Sequence, residues 1–320
     1  MKILSGALAA LSTLTILPAA PAVISYAAIS DCAKDSLTEE YCGSWWYRTT
    51  DGKRHPLKGV ASAAEPVAAS GDGRRLAYLR AKDTRLVIRD LDGRTRTSKS
   101  KAWPSNEELD VTRVTMSHDG SLVAVNCCWA GNTQHRARVY NAATGALLVE
   151  LPGVSVNDDS ITFSGDSDQA LVMTEDLNSI TASVYDLDGA RTLAAKLPKA
   201  IAATATAAAL HADGHTIAFY LSGRAPKIAL YDLRSGLVTT TFPAPPSGQP
   251  IEDHPLIRKV EIDTEVRLDW TGDTTVRMLR ELGPKTLRVQ VYGIDVTAGT
   301  VKAQRAYAIT ATAEEAVSGR

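Results

Sequence analysis

The chain has 320 residues, 35 Lys+Arg against 36 Asp+Glu (formal charge −1), 44% apolar and 6% aromatic residues. That composition excludes a disordered chain, a collagen-like chain and a disulfide-dense miniprotein. The near-zero charge argues against a dedicated nucleic-acid binder, which carries a basic excess.

The chain opens Met1-Lys2-Ile3-Leu4 and then carries no charge until Asp31. A basic start, an apolar run and small residues predict a secretory signal over residues 1–27. It would be cut near residue 22 or 27, because Ala20-Pro21-Ala22 and Ser25-Tyr26-Ala27 both offer small residues at −3 and −1. The competing reading, an uncleaved membrane anchor, is weakened by Pro18 and Pro21. Ile29-Ser30-Asp31 before Cys32 departs from a lipoprotein pattern. Export would make the product secreted or extracytoplasmic, and the Ala-, Thr- and Arg-rich texture is that of a bacterial protein. The oxidising compartment would make disulfides of Cys32, Cys42, Cys127 and Cys128. Cys32–Cys42 is the favoured pair. Cys127 and Cys128 are adjacent, so they either form a strained ring or cross-link to the first two.

A repeat occupies the rest. Ser70-Gly71-Asp72-Gly73 recurs as Ser117-His118-Asp119-Gly120, Ser164-Gly165-Asp166-Ser167 and His211-Ala212-Asp213-Gly214. The Asp positions 72, 119, 166 and 213 are spaced by 47 each time. A fifth copy, Trp270-Thr271-Gly272-Asp273, lies 60 residues on, and the surplus falls in the Pro-rich stretch from Pro243 to Pro255. A second motif keeps step: Arg89-Asp90-Leu91-Asp92-Gly93, Tyr140-Asn141, Tyr185-Asp186-Leu187-Asp188-Gly189, Tyr231-Asp232 and Tyr292-Gly293-Ile294-Asp295. Both motifs read as hairpin turns, with Asp or Ser oxygens accepting backbone N–H groups. Between them lie short β-rich runs such as Leu122-Val123-Ala124-Val125, giving four antiparallel strands per repeat. Ala200–Ala209 has helical composition, but its place in the period makes it an inner strand.

Four-stranded repeats of this length predict an all-β chain folded as a β-propeller. The paired motifs resemble those of TolB-like and WD-repeat propellers over roughly Glu65 to Tyr307. Tyr-Asp or Arg-Asp replaces the Trp-Asp dipeptide and the Gly-His element is absent, so the TolB-like variety is the nearer resemblance. It implies fold and not function.

The expected organisation is one propeller domain, residues 28–320, with repeats near 65–110, 111–157, 158–204, 205–258 and 259–307. A split sixth blade would close the ring from 23–60 and 306–320. Trp45-Trp46-Tyr47 would be its third strand, Arg54–Lys58 its outer strand, Ile24–Ile29 its second and Ala306–Ala311 its inner strand. Trp45-Trp46 reads as blade packing in preference to a carbohydrate platform.

The two Gly-bearing turns of each repeat share one face of such a disc. The other face gathers Asp83, Glu107, Asp110, Trp129, Asp158, Asp159, Asp176, Asp253 and His254, together with all four cysteines. That loop face is the expected binding face for a protein or cell-envelope component. No resident cofactor is expected; the one cation its carboxylates would suit is Ca²⁺, at residues such as Asp158 and Asp159. His211 and His215 flank a hairpin and do not share a helical face. Ser164-Gly165-Asp166 is a repeat turn, not a nucleophile elbow. Arg94, Arg96, Lys99 and Lys101 read as edge protection on an outer strand. A propeller hydrolase or lactonase would converge charged groups and a metal on the axis. The inner-strand entrances read Asp110, Ser160, Ala205 and Glu261, a mixed set. A non-catalytic, monomeric binder is therefore the leading expectation, and a redox device at Cys127–Cys128 the third.

Overall fold

The inner and middle strands carry near-continuous apolar runs, such as Leu76-Ala77-Tyr78-Leu79 and Ile217-Ala218-Phe219-Tyr220, because both of their faces are buried against neighbouring blades. The computed structural model describes residues 22–30, 44–61, 66–99, 101, 113–127, 136–152, 161–176, 179–245, 266–282, 288–308 and 313–318. Blade I takes β1 (Ile24–Ser30), β2 (Trp45–Thr49) and β3 (Arg54–Pro56) from the start of the chain. Blade II is β4 (Val67–Ala69), β5 (Arg75–Leu79), β6 (Leu86–Asp90) and β7 (Thr95–Thr97). Blade III is β8 (Arg113–Met116), β9 (Leu122–Cys127), β10 (Arg136–Asn141) and β11 (Leu147–Pro152). Blade IV is β12 (Ile161–Phe163), β13 (Gln169–Asp176), β14 (Ser179–Asp186) and β15 (Arg191–Lys196). After the single turn α1 (Lys199–Ala202), blade V is β16 (Ala205–Leu210), β17 (Thr216–Leu221), β18 (Lys227–Asp232) and β19 (Leu237–Pro243). Blade VI is β20 (Val266–Gly272), β21 (Thr275–Leu282), β22 (Arg288–Asp295) and β23 (Thr300–Ala308). The last strand, β24 (Ala313–Ser318), returns to blade I, whose order is β24-β1-β2-β3. The result is six four-stranded antiparallel blades.

The core is divided among the blade interfaces. Leu76 and Tyr78 of β5 pack towards blade I with Trp45 and Tyr47, whereas Ala77 and Leu79 of the same strand pack towards blade III with Val114 and Val123. The period of two thus feeds two hydrophobic layers from one strand. Leu171 and Phe219 hold blades IV and V together, and Tyr220 and Trp270 hold V and VI. Trp45, Trp46 and Tyr47 are all buried, with the Arg54 guanidinium 4.0 Å over the Trp46 ring, a packing arrangement.

Two local expectations are corrected. The inner closing strand is Ala313–Ser318, whereas Ala306–Ala308 complete the ladder of β23 against Arg288–Gln290. An outer strand and an inner strand lie about 14 Å apart across a sheet, so the chain needs roughly four more residues before it can pair at the axis. In the Ala200–Ala209 stretch, one helical turn precedes the strand: Ala203 N–H donates to the Lys199 carbonyl, and the extended ladder starts at Ala205. No helix among the described residues is long and apolar enough to cross a membrane.

Candidate functional site

The two faces of the disc are built differently. On the turn face, the connections between first and second strands (residues 70–74, 117–121, 164–168 and 211–215) have one length. Their side chains serve their own backbone. Ser70 Oγ donates to Asp72 Oδ1 at 2.6 Å and accepts from Arg75 N at 3.0 Å, while Arg74 N donates to Asp72 Oδ1 at 3.0 Å. The pattern repeats at Ser117–Asp119 (2.7 Å) and Ser164–Asp166 (2.6 Å). In the fourth copy His211 replaces Ser, and its Nδ1 accepts from Asp213 N at 3.2 Å. Gly73, Gly120 and Gly214 take φ near +70°, which closes each turn.

These carboxylates also tie blades together. Asp119 Oδ1 accepts from Ser167 Oγ of the next blade at 2.8 Å, and Arg75 Nη1 donates to the Gly120 carbonyl at 2.7 Å. Burial opposes the ionisation of Asp119, but the Ser121 N–H and the Ser117, Ser167 and Ser121 hydroxyls outweigh it and hold its pKa below the usual range. Burial likewise opposes Asp213, whose pKa is nevertheless pushed down to about 2 by the N–H groups of His215 and Thr216, the Thr216 hydroxyl and His211.

Contacts between blades that are not neighbours mark the axis. Arg277 of β21, 8% exposed, donates from Nη1 to the Gly71 carbonyl of blade II at 2.9 Å and from Nη2 to Asp269 Oδ2 at 2.5 Å. A Cβ on Gly165 of blade IV would stand 3.0 Å from Trp270 Cβ of blade VI; between the neighbouring blades II and III, one on Gly71 would stand 2.0 Å from His118 Nδ1. Burial lowers the His118 pKa. The turn-face end of the axis is therefore a packed plug of His118, Trp270, Asp269 and Arg277. Sequence reasoning missed Arg277: it stands in the fifth copy at a place with no Arg in the other four, and only the ring brings it to Gly71.

The loop face is irregular. Its connections run from the two residues 177–178 to the span 244–265. Among the expected binding residues, Asp83 is described, and its carboxylate is engaged. Arg80 grips it bidentately (Nε–Oδ1 2.7 Å, Nη2–Oδ2 2.6 Å) and Arg85 Nε stands at 3.5 Å. The Arg80 bonds hold its pKa below the usual range. Asp176 ends β13 opposite Ser179, so the strand extends to a residue expected in a loop. Cys127 ends β9 opposite Arg136. Glu107, Asp110, Trp129, Asp158, Asp159, Asp253, His254, Cys32, Cys42 and Cys128 lie outside the described residues. Among the described residues no three His, Cys, Asp or Glu side chains are arranged to hold a metal. His211 and His215 both turn to Asp213 Oδ2 (3.1 and 3.6 Å), and His215 also approaches Asp232 (3.4 Å). Arg96 bonds Asp90 at 2.6 Å on its outer strand.

The class of protein is thus a six-bladed β-propeller with a hydrogen-bonded turn face, a plugged axis and an irregular loop face. No protein-family model matches the chain, and no curated protein matches it. Among solved structures it is similar to the crystal structure of TolB from Acinetobacter baumannii, with 16% identity, a TM-score of 0.52, and coverage of 92% of this chain and 67% of that one. The fold is a TolB-like propeller. With 876 solved chains matching, such a likeness places the architecture alone.

Proposed function

We propose that this chain is an exported, non-catalytic propeller that binds a protein or cell-envelope component through its loop face. The observation that carries the reading is the asymmetry of the two faces. Turn-face carboxylates are spent on their own backbone and on neighbouring blades, and connection lengths there are nearly constant. On the loop face the number of residues between successive strands varies from two to more than twenty, and connections of variable length are where binding residues concentrate. The TolB-like fold is consistent with protein partners, and the uncharged N-terminal run supports export. The four cysteines would then be oxidised, with Cys32–Cys42 as the favoured pair.

Blade II offers a paired test. A photo-reactive amino acid is placed at Lys82 on the loop face and, separately, at Asp92 on the turn face; both positions are exposed. Cross-linking in cells should give a discrete adduct from position 82 and none from 92. Adducts from 92 alone, or from neither in a correctly folded protein, would refute the assignment of the face. Stoichiometric Ca²⁺ or Zn²⁺ in the purified protein would turn the reading towards a metal-dependent hydrolase.

A further inference from the structure

The chain as a whole has a formal charge of −1, yet residues 44–101, which build two strands of blade I and all of blade II, hold 14 Lys or Arg against 6 Asp or Glu. Ten of those cations serve the fold. Seven pair with Asp51, Asp72, Asp83, Asp90 or Asp92. Arg48 Nε donates to the Gly52 carbonyl at 3.2 Å, and the Arg54 and Arg89 guanidiniums stand over the rings of Trp46 and Tyr47. Four lysines remain: Lys58, Lys82, Lys99 and Lys101. All four are exposed, and none is in an ion pair among the described residues.

The fold gathers these four at one place. Ala81 N donates to the Gly59 carbonyl at 2.9 Å and Val60 pairs with Arg80, which sets Lys58 beside the hairpin tip that holds Lys82. Arg80 N closes that tip on the Arg85 carbonyl at 2.9 Å, and Ser98 N donates to the Leu86 carbonyl at 2.9 Å, which brings Lys99 alongside. The Lys101 carbonyl accepts from Arg138 Nη1 at 3.3 Å, so the row continues towards blade III. Four neighbouring chain segments at a spacing of about 4.8 Å make a cationic row roughly 15 Å long across the loop-face end of blade II. The carboxylates described along it are already engaged: Asp83 by Arg80 and Arg85, and Glu150, at the blade III end, by Arg138 at 2.8 Å.

We propose that this row docks the protein on a bilayer carrying anionic phospholipid headgroups. Charge complementarity selects an anionic occupant. The make-up of the row selects a lipid surface over a protein. Protein interfaces centre on aromatic, Met or Arg anchors and are poor in lysine. The exposed large apolar side chains among the described residues, Leu147, Leu148, Leu237 and Val238, lie on β11 and β19 and not in the row. Four lysines on flexible stems match a surface that presents many mobile charges. The inference rests on the loop face being the binding face, and it takes the envelope component met by blade II to be phospholipid.

The test is co-sedimentation of the full chain with phosphatidylcholine vesicles, with and without phosphatidylglycerol, at low and high salt, with thermal melting to confirm folding. Phosphatidylglycerol should raise binding, and high salt should remove the increase. The uncharged N-terminal run would bind both vesicles alike, so the difference between them reads the row. Lys58→Gln, Lys82→Gln, Lys99→Gln and Lys101→Gln combined should lower the phosphatidylglycerol-dependent partition coefficient at least about a hundredfold, at about fivefold for each lysine near the surface. Removing four exposed cations from the turn-face end, with Lys53→Gln, Arg191→Gln, Arg234→Gln and Lys302→Gln, should change it less than about threefold, because those charges lie beyond the screening length. Binding that ignores phosphatidylglycerol, an unchanged row variant, or an equal loss in the turn-face variant would each overturn the inference. So would a protein adduct from position 82 in a chain that ignores both vesicles, a result that keeps the loop face as the binding face and removes the lipid.

Discussion

Removing the guanidinium of Arg277 should weaken the whole ring. Arg277 joins blade VI to blade II across the split blade I, through the Gly71 carbonyl and the Asp269 carboxylate. Two bonds to a charged donor contribute about 1.5–3 kcal/mol each. Breaking a buried ion pair costs about 3–5 kcal/mol, because the partner loses its counter-charge in a dry site. Two offsets apply. The Asp269 side chain is 30% exposed and regains some water, and methionine fills most of the vacated volume. Arg277→Met should therefore cost about 2–4 kcal/mol. Arg94→Met, which breaks a pair exposed by 77% and 55%, should stay within about 0.5 kcal/mol of the parent. Equilibrium denaturation in urea, read by tryptophan fluorescence, measures both. Pairing Arg277→Met with Asp269→Leu should recover part of the loss, since no lone carboxylate remains. An Arg277→Met protein as stable as Arg94→Met would refute the view that the axis is braced across the closing blade.

Asp213 has its pKa depressed to about 2 from 3.8, so its contribution is fully present above about pH 4 and is lost as pH falls towards 2. Discounted for the partial exposure of the side chain, that is on the order of 1 kcal/mol, and the Asp213→Asn variant should show a flatter decline of unfolding free energy over that interval. Gly120 and Gly59 share φ +70°, but a Cβ on Gly120 meets Ser70 Cβ at 2.9 Å and one on Gly59 meets nothing within 4 Å. Gly59→Ala should then cost about 1 kcal/mol and Gly120→Ala about 2–3 kcal/mol; equal costs would show that the blade contact gives way freely. Ending the chain at residue 312 removes β24 and leaves β1 as an open inner edge, so the truncated protein should lose cooperative melting and bind a hydrophobic dye.

Much of this architecture was legible because a propeller is written locally. The spacing of Asp72, Asp119, Asp166 and Asp213 expresses one repeated supersecondary unit, and each Ser-x-Asp turn is closed by groups within five residues of one another. The loop-face residues were legible only as a side of the disc. Asp83 was an acid in a loop until the fold set Arg80 and Arg85 around it.

Sequence by itself thus determined five of the six blades, the strand order within each repeat and the division into two faces, since all three follow from short-range periodicity. Tertiary structure alone decided which six residues close the ring and how the axis is filled. Ala313–Ser318 have no repeat motif to announce them, and Arg277 reaches a carbonyl 206 positions away in the chain. Such contacts depend on closure of the ring, a long-range condition that no window of local sequence contains.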